Sequence, residues 1–93
     1  MENKIIEYFY KNGYSIESVN NKNRYKYSYH YHFSKGDIIY SIFQLSSDFS
    51  KRQTIEICDV GKYGSWEYLF INDVDNIDYY INELENIRKN EMK

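Results

Sequence analysis

Arg24-Tyr25-Lys26-Tyr27-Ser28-Tyr29-His30-Tyr31-His32-Phe33 alternates without a break: every odd position is aromatic and every even one polar or basic. Side chains of an extended backbone point to opposite faces in turn, whereas a helix would scatter both sets around its circumference. The stretch therefore predicts a β-strand with one aromatic face and one polar, cationic face. Tyrosine suits both a packed core and a contact surface, so this ribbon bears on fold and on function together.

Working outward, the N-terminal residues predict a helix over 2–12. Ile5, Ile6 and Phe9 form its apolar stripe, and Gly13 stands where a helix end needs positive φ. A short strand is expected over 14–19, followed by an asparagine-rich turn over 20–23. The ribbon over 24–33 is closed by a turn at Ser34-Lys35-Gly36-Asp37 into a strand over 38–45. A polar loop over 46–53 leads to a strand over 54–60, a turn at Gly61-Lys62-Tyr63-Gly64 and a last strand over 65–71.

The C-terminal helix is marked by Val74, Ile77, Tyr80, Ile81, Leu84 and Ile87 at spacings of three and four. Asp73 or Asp75 can cap it, Asp78 suits its positive end, and Arg88, Lys89 and Lys93 sit where cations are favoured. The expected fold is α+β: an antiparallel β-meander of four to five strands flanked by an N-terminal and a C-terminal helix. The order is α-β-β-β-β-β-α, with both helices on one sheet face, in a single domain over 1–93. Leu84 and Ile81 are expected to close the core.

That architecture leaves an apolar surplus. Ile38, Tyr40 and Ile42 oppose Ile39, Phe43 and Leu45, and Trp66, Tyr68 and Phe70 oppose Leu69 and Ile71. Two helices cannot cover both faces, so the sheet either curls or buries its second face against a partner or a second copy.

Composition narrows the functional classes. The 93 residues include 12 tyrosines, one cysteine and no proline or alanine. Abundant Asn, Lys, Ile and Tyr, all with A/T-rich codons, point to an A/T-rich genome of a low-GC bacterium, phage or plasmid, or an archaeal virus. The single Cys58 fits a reducing compartment. No run of about 18 apolar residues occurs, and Met1-Glu2-Asn3-Lys4 does not begin a signal peptide. The expectation is a soluble, cytoplasmic protein (host cytoplasm if phage-encoded) that binds no membrane.

Charge is split along the chain. Residues 1–53 carry five acids and eight bases, a net of +3, while 54–93 carry nine acids and four bases, a net of −5. These sum to the −2 of the whole chain.

The candidate chemistries are thin. His30 and His32 share a strand face, but a metal site needs a third ligand from Cys58, Asp59, Glu56 or Asp37, and no spacing fixes one. Cys58 lies mid-strand, without the glycine elbow or helix N-terminus that activates a thiol. No phosphate-binding or zinc-protease motif is present. The expectation is a protein that is not an enzyme and holds no metal or cofactor.

Two binding readings compete. Aromatics interleaved with Arg24, Lys26, His30 and His32 suit a single-strand nucleic-acid platform, yet strict alternation sets rings and cations on opposite faces. The acidic half suits a protein partner with a basic groove, such as a nucleic-acid-binding effector. Its candidate contact residues are Glu67, Asp73, Asp75, Asp78, Glu83 and Glu85, with Tyr63 and Tyr79 as aromatic anchors. A small acidic module with a surplus aromatic surface, from an A/T-rich source, resembles in profile the phage-encoded inhibitors of host defence, anti-CRISPR proteins included. The resemblance is one of profile and carries no residue roles. The first expectation is such an inhibitor, occluding a host protein and able to form a homodimer. The alternatives are a small nucleic-acid-binding or regulatory module of a low-GC bacterium, or an immunity or antitoxin protein.

Overall fold

A computed structural model describes residues 2–19, 27–45 and 54–91, with only the backbone described at Tyr27 and Leu45. Helix α1 (Glu2–Lys11) is followed by strands β1 (Ser15–Ser18), β2 (Tyr27–Lys35), β3 (Ile38–Leu45), β4 (Ile55–Asp59) and β5 (Tyr68–Ile71). A 3₁₀ turn (Val74–Asn76) then leads into helix α2 (Ile77–Glu91). The strands form one antiparallel sheet in the order β1-β2-β3-β4-β5. The five-stranded meander between two helices is as expected. The expected turn at 20–23, the loop at 46–53 and the ribbon residues Arg24, Tyr25 and Lys26 lie outside the described residues.

Local chemistry explains the boundaries. At the end of α1, Gly13 has φ +81, its N–H donates to Tyr10 O, and Tyr14 N–H donates to Phe9 O. This paired closure satisfies carbonyls that would otherwise be orphaned at a helix end. The β2–β3 hairpin is tighter than the four-residue turn expected, because β2 runs on to Lys35 and pairs it with Ile38. Gly36 (φ +63) and Asp37 alone make the turn, and glycine takes the first position, where φ is positive. Asp73 is the cap before the 3₁₀ turn, its carboxylate accepting from Asp75 N–H at 3.0 Å.

The register assigns the faces. Phe33, Tyr40, Ile42, Ile55, Ile57 and Ile71 form a buried cluster with Ile5 and Phe9 of α1 and Ile77 and Leu84 of α2. Both helices thus share one sheet face. Phe9 stacks on Phe33 with ring centroids 4.1 Å apart, and Tyr14 meets Phe9 edge-on at 5.0 Å. The aromatic side of the ribbon, Tyr29, Tyr31 and Phe33, turns into this layer. Tyr31 donates to Glu2 Oε2 at 2.5 Å. No helix among the described residues is long and apolar enough to cross a membrane.

The opposite face carries His30, His32, Ser41, Phe43, Glu56, Cys58, Tyr68 and Phe70, by alternation from the core residues. The sequence's surplus of apolar side chains is therefore real and lies on the side away from the helices.

Candidate functional site

The site is built around Asp59, the last residue of β4. Its side chain is fully buried, with Oδ2 2.6 Å from Arg88 Nη1 of α2. Its Oδ1 accepts from Gly61 N–H at 3.2 Å, and its backbone carbonyl accepts from Trp66 N–H, also at 3.2 Å. One residue thus holds the beginning and the end of the loop at 61–67. Arg88, expected as a cation favoured at the helix end, is 8% exposed and also donates to Tyr40 Oη at 3.4 Å. A buried charge is tolerated where it is paired and hydrogen-bonded, and Asp59 supplies both conditions.

Two glycines let this loop close. A Cβ on Gly61 would stand 2.4 Å from Asp37 O, and one on Gly64 would stand 2.2 Å from Asp59 O. The loop lies against backbone at both points, so no other residue fits without displacing it. The loop is pinned further where Lys62 N–H donates to Asp37 O and Gly64 N–H to Gly61 O.

This closure presents Trp66. Its φ is +61, the only positive φ among described non-glycine residues, and it is 62% exposed. A bulky side chain in that region is strained, at a cost of order 1–3 kcal/mol, and persists where the surroundings over-determine it. The same conformation shortens the last strand. The expected strand over 65–71 begins only at Tyr68, because the left-handed backbone at Trp66 interrupts extended pairing. Tyr68 (53% exposed) and Phe70 (55%) follow on the face away from the helices, and Tyr63 is exposed earlier in the loop. Phe43 links this surface to the sheet, its ring 5.8 Å from Tyr68 and 5.5 Å from His30.

Burial disfavours charge on parts of that face. Burial lowers the His30 pKa, aided by neighbouring His32, and raises that of the Glu56 carboxyl. Burial, with the charge of Asp59 behind it, pushes the Cys58 thiol up to about 11, far from a reactive thiolate. His30 Nε2 and Ser41 Oγ share a hydrogen bond of 2.7 Å. Among the described residues no group of three or more His, Cys, Asp or Glu could hold a metal ion. The surface offers contact area and hydrogen-bonding groups.

The residues chosen from sequence are dispersed. Asp73 accepts from Asp75 N–H and from Asn76 Nδ2, Asp75 pairs with Lys4 at 3.0 Å, and Asp78 accepts from the Tyr8 hydroxyl. These three acids fasten the start of α2 to itself and to α1. Glu85 pairs with Lys89 at 3.2 Å. Glu67 and Glu83 are exposed and carry no ion pair among the described residues. Tyr63 lies under Lys62 Nζ at 5.4 Å, and Tyr79 is exposed with its ring edge-on to Tyr80. Only Tyr63 and Glu67 of the eight belong to the Trp66 loop. An open groove of about 290 Å³ between the helices is bordered by Lys4, Tyr8, Lys11, Asp75 and Asp78. Lys4 pairs with Asp75 across it, and Lys11 with Glu7 along α1.

Trp66, Phe70 and the Asp59–Arg88 pair were not among those candidates. The two glycines flanking Lys62-Tyr63, followed closely by a tryptophan, are the signal that could have marked the loop. Nothing in the spacing of Asp59 and Arg88 announces their pairing. Comparison with protein families, curated proteins and solved structures finds no match.

Proposed function

We propose that this chain is a non-enzymatic binding module that inhibits a protein partner by occluding its surface, with the Trp66–Tyr68–Phe70 surface as its main contact. The observation that carries this reading is the strained, exposed Trp66 held by a buried scaffold. Tryptophan and tyrosine dominate binding hot spots because they offer large, rigid contact areas. The side chains of Tyr63, Tyr68 and Phe70 bring no carboxylate or ammonium to that contact, and exposed acids such as Glu67 and Glu83 favour encounter with a basic surface. The chain's small size, acidity and A/T-rich composition suit a phage or mobile-element inhibitor of a host defence protein, of the anti-CRISPR kind.

The test is phage plaquing on a low-GC bacterial host with active CRISPR–Cas immunity, expressing the chain or its Trp66→Ala/Phe70→Ser variant. The expected result is restored plaquing by the wild type and loss in the variant, with the variant's circular dichroism unchanged. No restoration, together with micromolar binding of DNA or RNA at about 150 mM salt, would replace this reading with nucleic-acid recognition.

A further inference from the structure

The sheet's two edges are treated differently. The β1 edge (Ser15–Ser18) carries Ser15, Glu17 and Ser18, all exposed, with Ile16 as its one apolar residue. A charge on an edge strand blocks pairing with another chain. The β5 edge reads Tyr68-Leu69-Phe70-Ile71, four apolar residues with no charge and no proline. Among the described residues no strand lies beyond it. In an antiparallel sheet an edge strand turns alternate backbone amides and carbonyls outward, so β5 directs such groups away from β4, where no described strand pairs with them.

We infer that β5 takes an added strand: an extended segment of a partner protein, apolar at alternate positions and basic at its ends. The occupant's character follows from what frames the edge. Glu67 precedes β5 and Asp73 follows it two residues after Ile71, both exposed. A segment paired along β5 meets an acid at each end, while its alternate side chains pack beside Tyr68 and Phe70. Such strand addition draws affinity from main-chain hydrogen bonds and selectivity from alternate side chains.

The same frame disfavours a second copy. Pairing β5 antiparallel to itself about a two-fold at Phe70 sets Glu67 of each copy directly opposite Asp73 of the other. Like charges meet at both ends of the ladder and cost the self-pair what a basic strand would gain. This argues against β5 as the contact in a homodimer. The inference rests on the docking surface proposed above, and it names the kind of segment that surface receives.

The probe is a blocked heptapeptide of alternating valine and threonine ended by lysines, compared with its glutamate-ended counterpart, against the full chain. Trp66 is the single tryptophan, so its fluorescence reports binding at the head of β5. The lysine-ended peptide is expected to shift that emission and slow amide exchange across 68–71. It should bind roughly tenfold tighter than the glutamate-ended one, a difference that shrinks at high salt. Glu67→Lys, at an exposed position, should move the preference toward the glutamate-ended peptide. Equal binding of both peptides, or no binding near 1 mM, would overturn the inference, as would protection outside 68–71. So would a wild-type dimer at about 100 µM with 68–71 protected. If plaquing still depends on Trp66 and Phe70 in any of those cases, the docking surface stands and strand addition alone falls.

Discussion

Arg88 of α2 and Asp59 of β4, 29 positions apart, form a buried ion pair 2.6 Å long, and the same aspartate holds both ends of the loop that displays Trp66. The docking of the C-terminal helix and the shape of the binding surface are therefore one structural unit. Arg88→Leu should strand a buried carboxylate and cost about 3–5 kcal/mol in urea denaturation. Adding Asp59→Leu should recover only part of that loss, because Gly61 N–H then loses its acceptor. Full recovery in the double variant would show that the pair does not organise the loop.

Trp66 sits in a conformation that glycine adopts freely and tryptophan does not. Trp66→Gly should relieve strain while removing little packing, since the residue is 62% exposed. We expect the denaturation midpoint to hold or rise, by up to about 1 kcal/mol, while partner inhibition is lost. Destabilisation beyond about 1 kcal/mol would mean that the indole supports the fold.

Two glycines should fail for different reasons. Gly64 is not left-handed, but a Cβ there would lie 2.2 Å from Asp59 O, so Gly64→Ala must displace the loop. It should cost about 1–3 kcal/mol and shift Trp66 emission. Gly36 has φ +63 and open space where a methyl would stand, so Gly36→Ala should cost only about 1 kcal/mol of backbone strain. The tryptophan signal should stay unchanged, and a shift there would contradict the separation of hairpin from loop.

His30 gives the fold a defined pH response. Burial depresses its folded pKa below the ordinary value of 6.5, so the unfolded chain binds the proton first. Stability from this group is present above pH 6.5 and is lost as pH falls below it. Glu56, whose pKa is raised, acts in the opposite sense at its own titration. Comparing wild type with His30→Gln between pH 7.5 and 5 cancels the Glu56 contribution. The variant should lose less stability over that range, and parallel curves would show that His30 is not held neutral.

Element type was legible in the chain because it rests on local periodicity. The alternation through Tyr29, His30, Tyr31, His32 and Phe33 admits only a strand. The spacing of Ile77, Ile81 and Leu84 marks a helix, and Leu84 does close the core at 0% exposure. The apolar character of Tyr68 and Phe70 opposite Leu69 and Ile71 likewise announced a second face with something to cover. What depended on chain segments meeting in space was not legible. Asp73 caps the start of the helix, a role the sequence offered to it or Asp75, but that Lys4 and Tyr8 of α1 engage Asp75 and Asp78 could not be read from spacing. Arg88 read as a cation placed for the helix end, and its burial against Asp59 had no signal in the sequence. The left-handed Trp66 follows from neither propensity nor pattern, since tryptophan opposes that conformation. It arises because Asp59, Gly61 and Gly64 leave the loop a single path, and a constraint of that kind exists only once β4, the loop and α2 have packed together.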